Sequence, residues 1–520
     1  MLNKARVQAS TKYGYDKMNR LTRVTGRNGE ATVYTYDANG NRETATFANG
    51  VKLTYTYDGL NRLILQKAVD SSGKTAAQYS YTPGKNGQRT RAEEEGPDGT
   101  VTTDYGYDKA NRLVKETIRT DAGKTVYEYS YDKAGNRTCK ETDGVKTSYT
   151  YDSRNRLTTE KTGNSEITYH YDANGNLVKQ SGGTDTIYVY DVHNRLTSYQ
   201  QGEKKESYTY DAEGVRRSRT TGADSIYFVS DTSTSLSQTL AETDGRGNLK
   251  AEYTRADSLT AQARDGKISY YLHDGHGDVR ALLSEAGKIT DRYRYSAYGE
   301  LLEKTGNTEN HYLYTGECYD GISGLYYLRA RYMDPSTGTF TSMDSYAGSI
   351  YEPATLHRYL YANGNPVSYS DPGGHFAGLL IEEQQNLIYI NIYRNLYSAI
   401  NGILIFVADY VIVKTIIDSF IKDDSPILIM EIDDYINQVL TDPFEARESG
   451  IIIDFETEQT LLILSSKVRA ERPDTGLMDL SDEEVSALAR DKSLSGKEQQ
   501  RYKKEEKIRK LRNVQKRKSK

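Results

Sequence analysis

The sequence predicts a mainly β protein. Stacked β-hairpins form a curved or partly hollow β-shell, followed by a small mixed α/β or α-rich C-terminal domain that ends in a basic helix. Three observations predict this. Tyrosine is in large excess, with 46 Tyr against 8 Phe and no Trp, and Gly is frequent at 43. A Tyr-Asp unit recurs with a period near twenty residues. The composition changes abruptly after His375.

The repeats come first. Segments such as YTYDANGNR (34–42), YTYDGLNR (55–62) and YTYDSRNR (149–156) place the aspartate at Asp16, Asp37, Asp58, Asp108, Asp132, Asp152, Asp172, Asp191 and Asp211. A degenerate copy, YSYT, fills positions 79–82. A fixed period of this size marks a structural repeat whose units stack to bury a face. Within a unit, Tyr-x-Tyr puts both rings on one face of a strand, because side chains alternate with period two. The aspartate accepts bonds from downstream backbone N–H groups in an Asx-turn. Asn or Gly two to three residues later tolerates left-handed dihedrals. The Arg-Leu pair then opens the returning strand, so one repeat is about one hairpin. Tyrosine in place of Leu or Phe suggests a partly wet face, which means a sheet curling round a lumen. The alternative is an open solenoid with an exposed tyrosine ladder that binds glycans. We assign 1–222 to this wall.

Cys139 and Cys318 are the only cysteines and make neither a disulfide framework nor a metal cluster. HDGHGD at 273–278 reads as a turn rich in His and Asp. No cofactor or metal is expected. The start, MLNKARVQAS, lacks the apolar stretch of a signal peptide, and the chain reads as the C-terminal part of something longer.

The third region, 376–520, has no His and no Cys. That excludes His-based ribonucleases, HNH nucleases, Cys/His zinc deaminases and Ser–His or Cys–His nucleophile pairs from this segment. Residues 380–420 have helical periodicity. The apolar stretch 401–420 is interrupted by Asp409 and Lys414, which argues against a stable transmembrane span. Residues 450–467 read as two short strands. Asp454, Glu456 and Lys467 there are candidates for a nuclease-type acid cluster, or ordinary charges on a hairpin. Capping boxes at Ser481–Glu484 and Ser495–Glu498 open two helices. The second helix covers 496–517 and carries Lys503, Lys504, Lys507, Arg509, Lys510, Arg512, Lys516 and Arg517. Residues 497–520 hold 12 basic and 3 acidic side chains. Such a density suits phosphate-backbone contact, or docking on the acidic part of the same segment.

These motifs resemble a known family. The Tyr-Asp units are similar to the YD repeats of Rhs proteins, Gram-positive wall-associated proteins, Tc-toxin C components and teneurins. Residues 269–344 resemble the Rhs-associated core, including YTGECYDGISGLYYLRARYMDPSTGTFTSMD. The resemblance implies a hollow β-shell, closed near its C-terminal end by the core, to which we assign 223–375, and followed by a variable, toxin-like segment. NPVSYSDPGGH (365–375) resembles the boundary motif after which self-processing relatives cut themselves. Carried onto this chain, the resemblance implies Asp344, Asp371 and Arg331 as an aspartyl-type site and His375–Phe376 as the bond cut. The chain departs from the family pattern at Gly338-Thr339-Phe340, at Ser345 after Asp344, and at His375, where relatives carry a hydrophobic residue. Read without the family, Asp334-Pro335 and Asp371-Pro372 are equally ordinary turn formers.

The expected function is that of a secreted or surface polymorphic toxin. Its shell encloses, and its core autoproteolytically releases, an effector for interbacterial competition. The implied partners are a cognate immunity protein and nucleic acid in the target cell. The alternative is a non-enzymatic wall-associated protein that binds cell-wall glycan.

Overall fold

The computed structural model describes residues 10–375 and 378–379, apart from 98, 235 and 350–352. The elements expected beyond 379, including Asp454, Glu456, Lys467 and the basic helix, lie outside the described residues. Among the described residues, no helix is long and apolar enough to cross a membrane.

Each repeat folds as a hairpin for local reasons. In the first, Asp16 Oδ1 accepts from Met18 N–H at 2.8 Å and Arg20 N–H at 3.0 Å, while Oδ2 takes Arg20 Nε at 2.8 Å. Asn19 N–H closes the turn on Asp16 O at 3.1 Å with φ of 59°. The pattern recurs in two spellings. Asn61, Asn111, Asn155 and Asn194 hold the left-handed position before an arginine. Gly40, Gly135 and Gly175 hold it before an asparagine. In both spellings the residue four after the aspartate returns its side chain to Oδ2, as Asn41 does to Asp37 at 3.0 Å. The Asp58 carboxyl lies below the usual range because the Arg62 side chain and backbone donate to it.

From Lys12–Tyr15 to Leu301–Thr305, 28 described strands form one sheet, each antiparallel to the next. The sheet runs on through residue 222, since Arg216–Thr221 pairs with Asp224–Asp231. Nearly every repeat carries a β-bulge just after its turn. Thr35 faces Thr44 but Tyr36 faces Arg42, which leaves Glu43 as the extra residue.

The bulge explains the tyrosines. It leaves the carbonyl of the preceding residue out of the ladder, and a buried carbonyl needs a donor. The second tyrosine of the next repeat supplies it. Tyr36 OH donates to Leu21 O at 2.6 Å and Tyr57 OH to Arg42 O at 2.8 Å. Tyr131 OH donates to Leu113 O at 2.7 Å and Tyr151 OH to Arg137 O at 2.9 Å. Tyr210 and Tyr295 do the same to Leu196 and Val279. The first ring of the pair is buried in most repeats, as for Tyr34, Tyr129, Tyr149, Tyr169 and Tyr208. The tyrosine face is therefore drier than the sequence suggested. The hydroxyls of the second tyrosines named above are satisfied by backbone where water was expected, and an exposed ladder is not what the buried first rings form.

The twist accumulated along the sheet brings its ends together. Apolar residues of 21–81 pack against 261–283, with Phe47 stacked on Tyr270 at 5.7 Å. Asn49 Nδ2 donates to Ser284 O at 2.9 Å, and Arg42 pairs with Asp257 at 2.6 Å. Residues 113–129 meet 251–298 and 312–367 in a second cluster. Residues 149–208 meet Leu325 and Tyr332 in a third. A cleft of about 390 Å³ remains between these walls, lined by Arg42, Tyr57, Arg255, His273, Glu317 and Pro372 among others.

The segment after Thr305 packs into the curl. Its four-stranded sheet joins Cys318–Asp320, Leu325–Leu328, Arg331–Asp334 and Thr339–Phe340. Buried Asp320 ties it to the wall through Arg216 at 2.5 Å and Arg219 at 2.8 Å. HDGHGD is structural too: His276 bridges Asp278 Oδ1 at 2.9 Å and Pro366 O at 2.7 Å.

Candidate functional site

Leu325–Leu328 and Arg331–Asp334 form a tight hairpin whose turn holds Arg329 at φ of 60°. The turn aims two arginines at the DPGGH segment. Arg329 Nη1 donates to Pro372 O and to both Glu317 oxygens at 2.9 Å. Arg331 Nε donates to Gly374 O, and Ala330 N–H reaches Gly373 O at 3.4 Å. Three successive carbonyls, 372 to 374, are thus held by three successive residues.

DPGGH itself is built like a repeat turn. Gly374 N–H donates to Asp371 O at 3.2 Å, with Gly374 at φ of 75°. His375 N–H donates to Asp371 Oδ1 at 3.0 Å. Gly374 has no alternative: a Cβ would lie 2.5 Å from Leu328 O and 3.0 Å from Arg331 N.

Arg331 is the hub, 5% exposed, with its guanidinium 3.5 Å from the centroid of the Phe340 ring. Nη1 donates to Arg358 O at 2.9 Å. Nη2 lies 2.7 Å from Asp344 Oδ2 and 3.5 Å from Asp371 Oδ2. Asp344 and Asp371 are 5% and 3% exposed. Burial pulls the guanidinium pKa below its ordinary value, opposed by the two carboxylates. Asp344 Oδ1 also accepts from Tyr346 N–H at 2.9 Å and meets His375 Nδ1 at 2.7 Å. Two buried carboxylates therefore share one buried cation, next to the last residue before the expected cut.

Asp344, Asp371 and Arg331 meet although 13 and 27 residues separate consecutive members in sequence. Asp454, Glu456, Lys467 and the eight basic residues from Lys503 to Arg517 are not described. Sequence reasoning missed Arg329 as a clamp and the His375 ring as a member of the cluster. The Arg-Ala-Arg spacing at 329–331 was the available signal for the clamp. For His375 the signal was its place four residues after Asp371, the position whose side chain caps the aspartate in eight of the nine repeat turns, Val215 after Asp211 being the exception.

Comparison with known proteins bears on this arrangement. Residues 88–367 match the family described as Teneurin YD-shell, and residues 15–52 and 36–75 match the one described as RHS Repeat. A stretch of 147 residues is 38% identical to the tRNA3(Ser)-specific nuclease WapA of Bacillus spizizenii. Another alignment of 147 residues is 37% identical to the tRNA nuclease WapA of Bacillus subtilis. Each covers 27% of this chain and 6% of the relative, so the chain matches only a small part of those proteins' length. The crystal structure of TcdB2-TccC3-Cdc42 is similar with TM-score 0.40 and 17% identity, over 70% of this chain and 24% of that one. The Teneurin YD-shell match alone spans more than half of the 520 residues. The chain belongs to the teneurin YD-shell family.

Proposed function

We propose that this chain belongs to a secreted or surface Rhs/YD-repeat toxin, and that its core cuts its own His375–Phe376 bond to free residues 376–520. The supporting observation is the sharing of buried Arg331 by Asp344 and Asp371 beside a segment pinned at 372–374. Two carboxylates on one cation in a low-dielectric site favour retaining one proton between them. Asp344, closer to Arg331, is the ionised partner and takes a proton from water. Asp371 carries the proton and polarises the His375 carbonyl. Water oxygen bonds to the carbonyl carbon while Asp371 lends its proton to the carbonyl oxygen; the bond to Phe376 nitrogen then breaks, that nitrogen takes the proton Asp344 drew from water, and Asp371 regains its own. The clamps fix the acyl side in place, which lowers the entropic part of the barrier.

The released segment acts on nucleic acid in a competing bacterium, with a cognate immunity protein in the producer. Its basic run from Lys503 to Arg517 supports that target, as do the tRNA nuclease names of the relatives. Asp454, Glu456 and Lys467 are the proposed acid cluster. Purified full-length chain should run as two fragments, and Asp371→Asn or Asp344→Asn as one. An uncut native chain removes self-processing from this reading. Expression of 376–520 inside bacteria should arrest growth, and unimpeded growth removes the effector.

A further inference from the structure

We infer that His375, the residue whose carbonyl is cut, is also a positioning residue for both carboxylates. The inference rests on the self-processing reading above and adds what places its two acids.

The observation is a diverted turn. In the repeat turns that resemble DPGGH, the fifth residue is an asparagine that closes back on its own aspartate. Asn41, Asn136, Asn176 and Asn248 place Nδ2 3.0, 2.8, 2.8 and 2.8 Å from Oδ2 of Asp37, Asp132, Asp172 and Asp244. His375 keeps the backbone half of this pattern, its N–H on Asp371 Oδ1 at 3.0 Å. Its side chain does not return to Asp371. It reaches Asp344 instead, with Nδ1 donating to Oδ1 at 2.7 Å. Asp371 Oδ2 meets Arg331 Nη2 at 3.5 Å in place of the tight contact of the repeats. One residue thus orients one carboxylate through its backbone and the other through its ring.

The charged groups facing the ring are Asp344, Asp371 and Arg331, with Arg358 Nη1 at 3.5 Å from the Asp344 carbonyl. The ring is half-exposed. Its bond ends on a carboxylate, and hydrogen bonds to ionised groups are about twice as strong as neutral ones.

The test is the rate of appearance of the two fragments after dilution of the denatured full-length chain into native buffer. His375→Leu removes the ring donor. His375→Asn restores the capping residue of the repeats and should return a side chain to Asp371. Both should slow cleavage about ten- to a hundredfold, the loss expected for one hydrogen bond to a charged group. His375→Gln keeps a side-chain donor and should restore part of the rate lost in His375→Leu. If Asp371→Asn still yields two fragments, the self-processing reading fails. If it abolishes cleavage while His375→Leu and His375→Asn cut at the native rate, or if His375→Gln is as slow as His375→Leu, the role of His375 is overturned.

Discussion

Replacing Tyr131 by Phe tests the claim that tyrosine is used here for its hydroxyl. The ring stays and only the oxygen goes. That oxygen bonds Leu113 O at 2.7 Å and Tyr298 OH at 2.7 Å in a buried setting. The Leu113 carbonyl sits at the bulge, where Leu113 faces Tyr107 and Lys115 faces Gly106. It would lose a donor that the strand ladder does not supply. A buried acceptor left unmet costs about 1–3 kcal/mol, so we expect about 2 kcal/mol of destabilisation. The control is Tyr227→Phe, on a ring 44% exposed, where a change within about 0.5 kcal/mol is expected. Urea unfolding followed by tyrosine fluorescence measures both, in an Asp371→Asn background so that one uncut species is compared. A midpoint fall of roughly half a molar unit is expected for Tyr131→Phe. If the two variants unfold together, the hydroxyl is not what the repeat selects, and the account of the bulges is wrong.

Gly374→Ala forces a Cβ against Leu328 O and Arg331 N at a positive φ. It should cost roughly 1–3 kcal/mol locally and stop self-processing by moving Gly374 O off Arg331, seen as a single band on a gel. Glu116 is buried and its pKa is pushed up to about 8 by desolvation, relieved only in part by the Ala297 N–H at 3.0 Å. Because the folded pKa exceeds the unfolded one, the folded state binds more protons, and stability falls as pH rises from about 4.5 to 8. Glu116→Gln should be the more stable protein at pH 8, by on the order of 4 kcal/mol, and converge with the native chain near pH 5. Parallel urea midpoints across that range would refute it.

The hairpin turn was legible because every contact that builds it falls within five residues. Asp16, Asn19 and Arg20 need no other part of the chain to close their loop. The DPGGH segment stood out as a candidate only by resemblance, since DPGG alone is an ordinary way to leave a sheet. His375 was read as a departure from the family pattern, and its ring turned out to bind Asp344. The local code correctly describes its backbone, but the destination of its side chain depends on a residue 31 positions away.

From the amino-acid order alone came the unit of construction, its period and the face on which its rings lie. Two things were decided only when the whole sheet had formed. One is where the hydroxyl of a repeat's second tyrosine goes, because in Tyr36, Tyr57, Tyr131, Tyr151, Tyr210 and Tyr295 it bonds a carbonyl that a bulge in the neighbouring hairpin exposes. The other is the meeting of Arg331, Asp344 and Asp371 in one buried cluster. The reason is the same for both. A turn is set by bonds that close within a few residues, whereas these contacts depend on register and twist summed over many strands, and no short stretch of sequence encodes that sum.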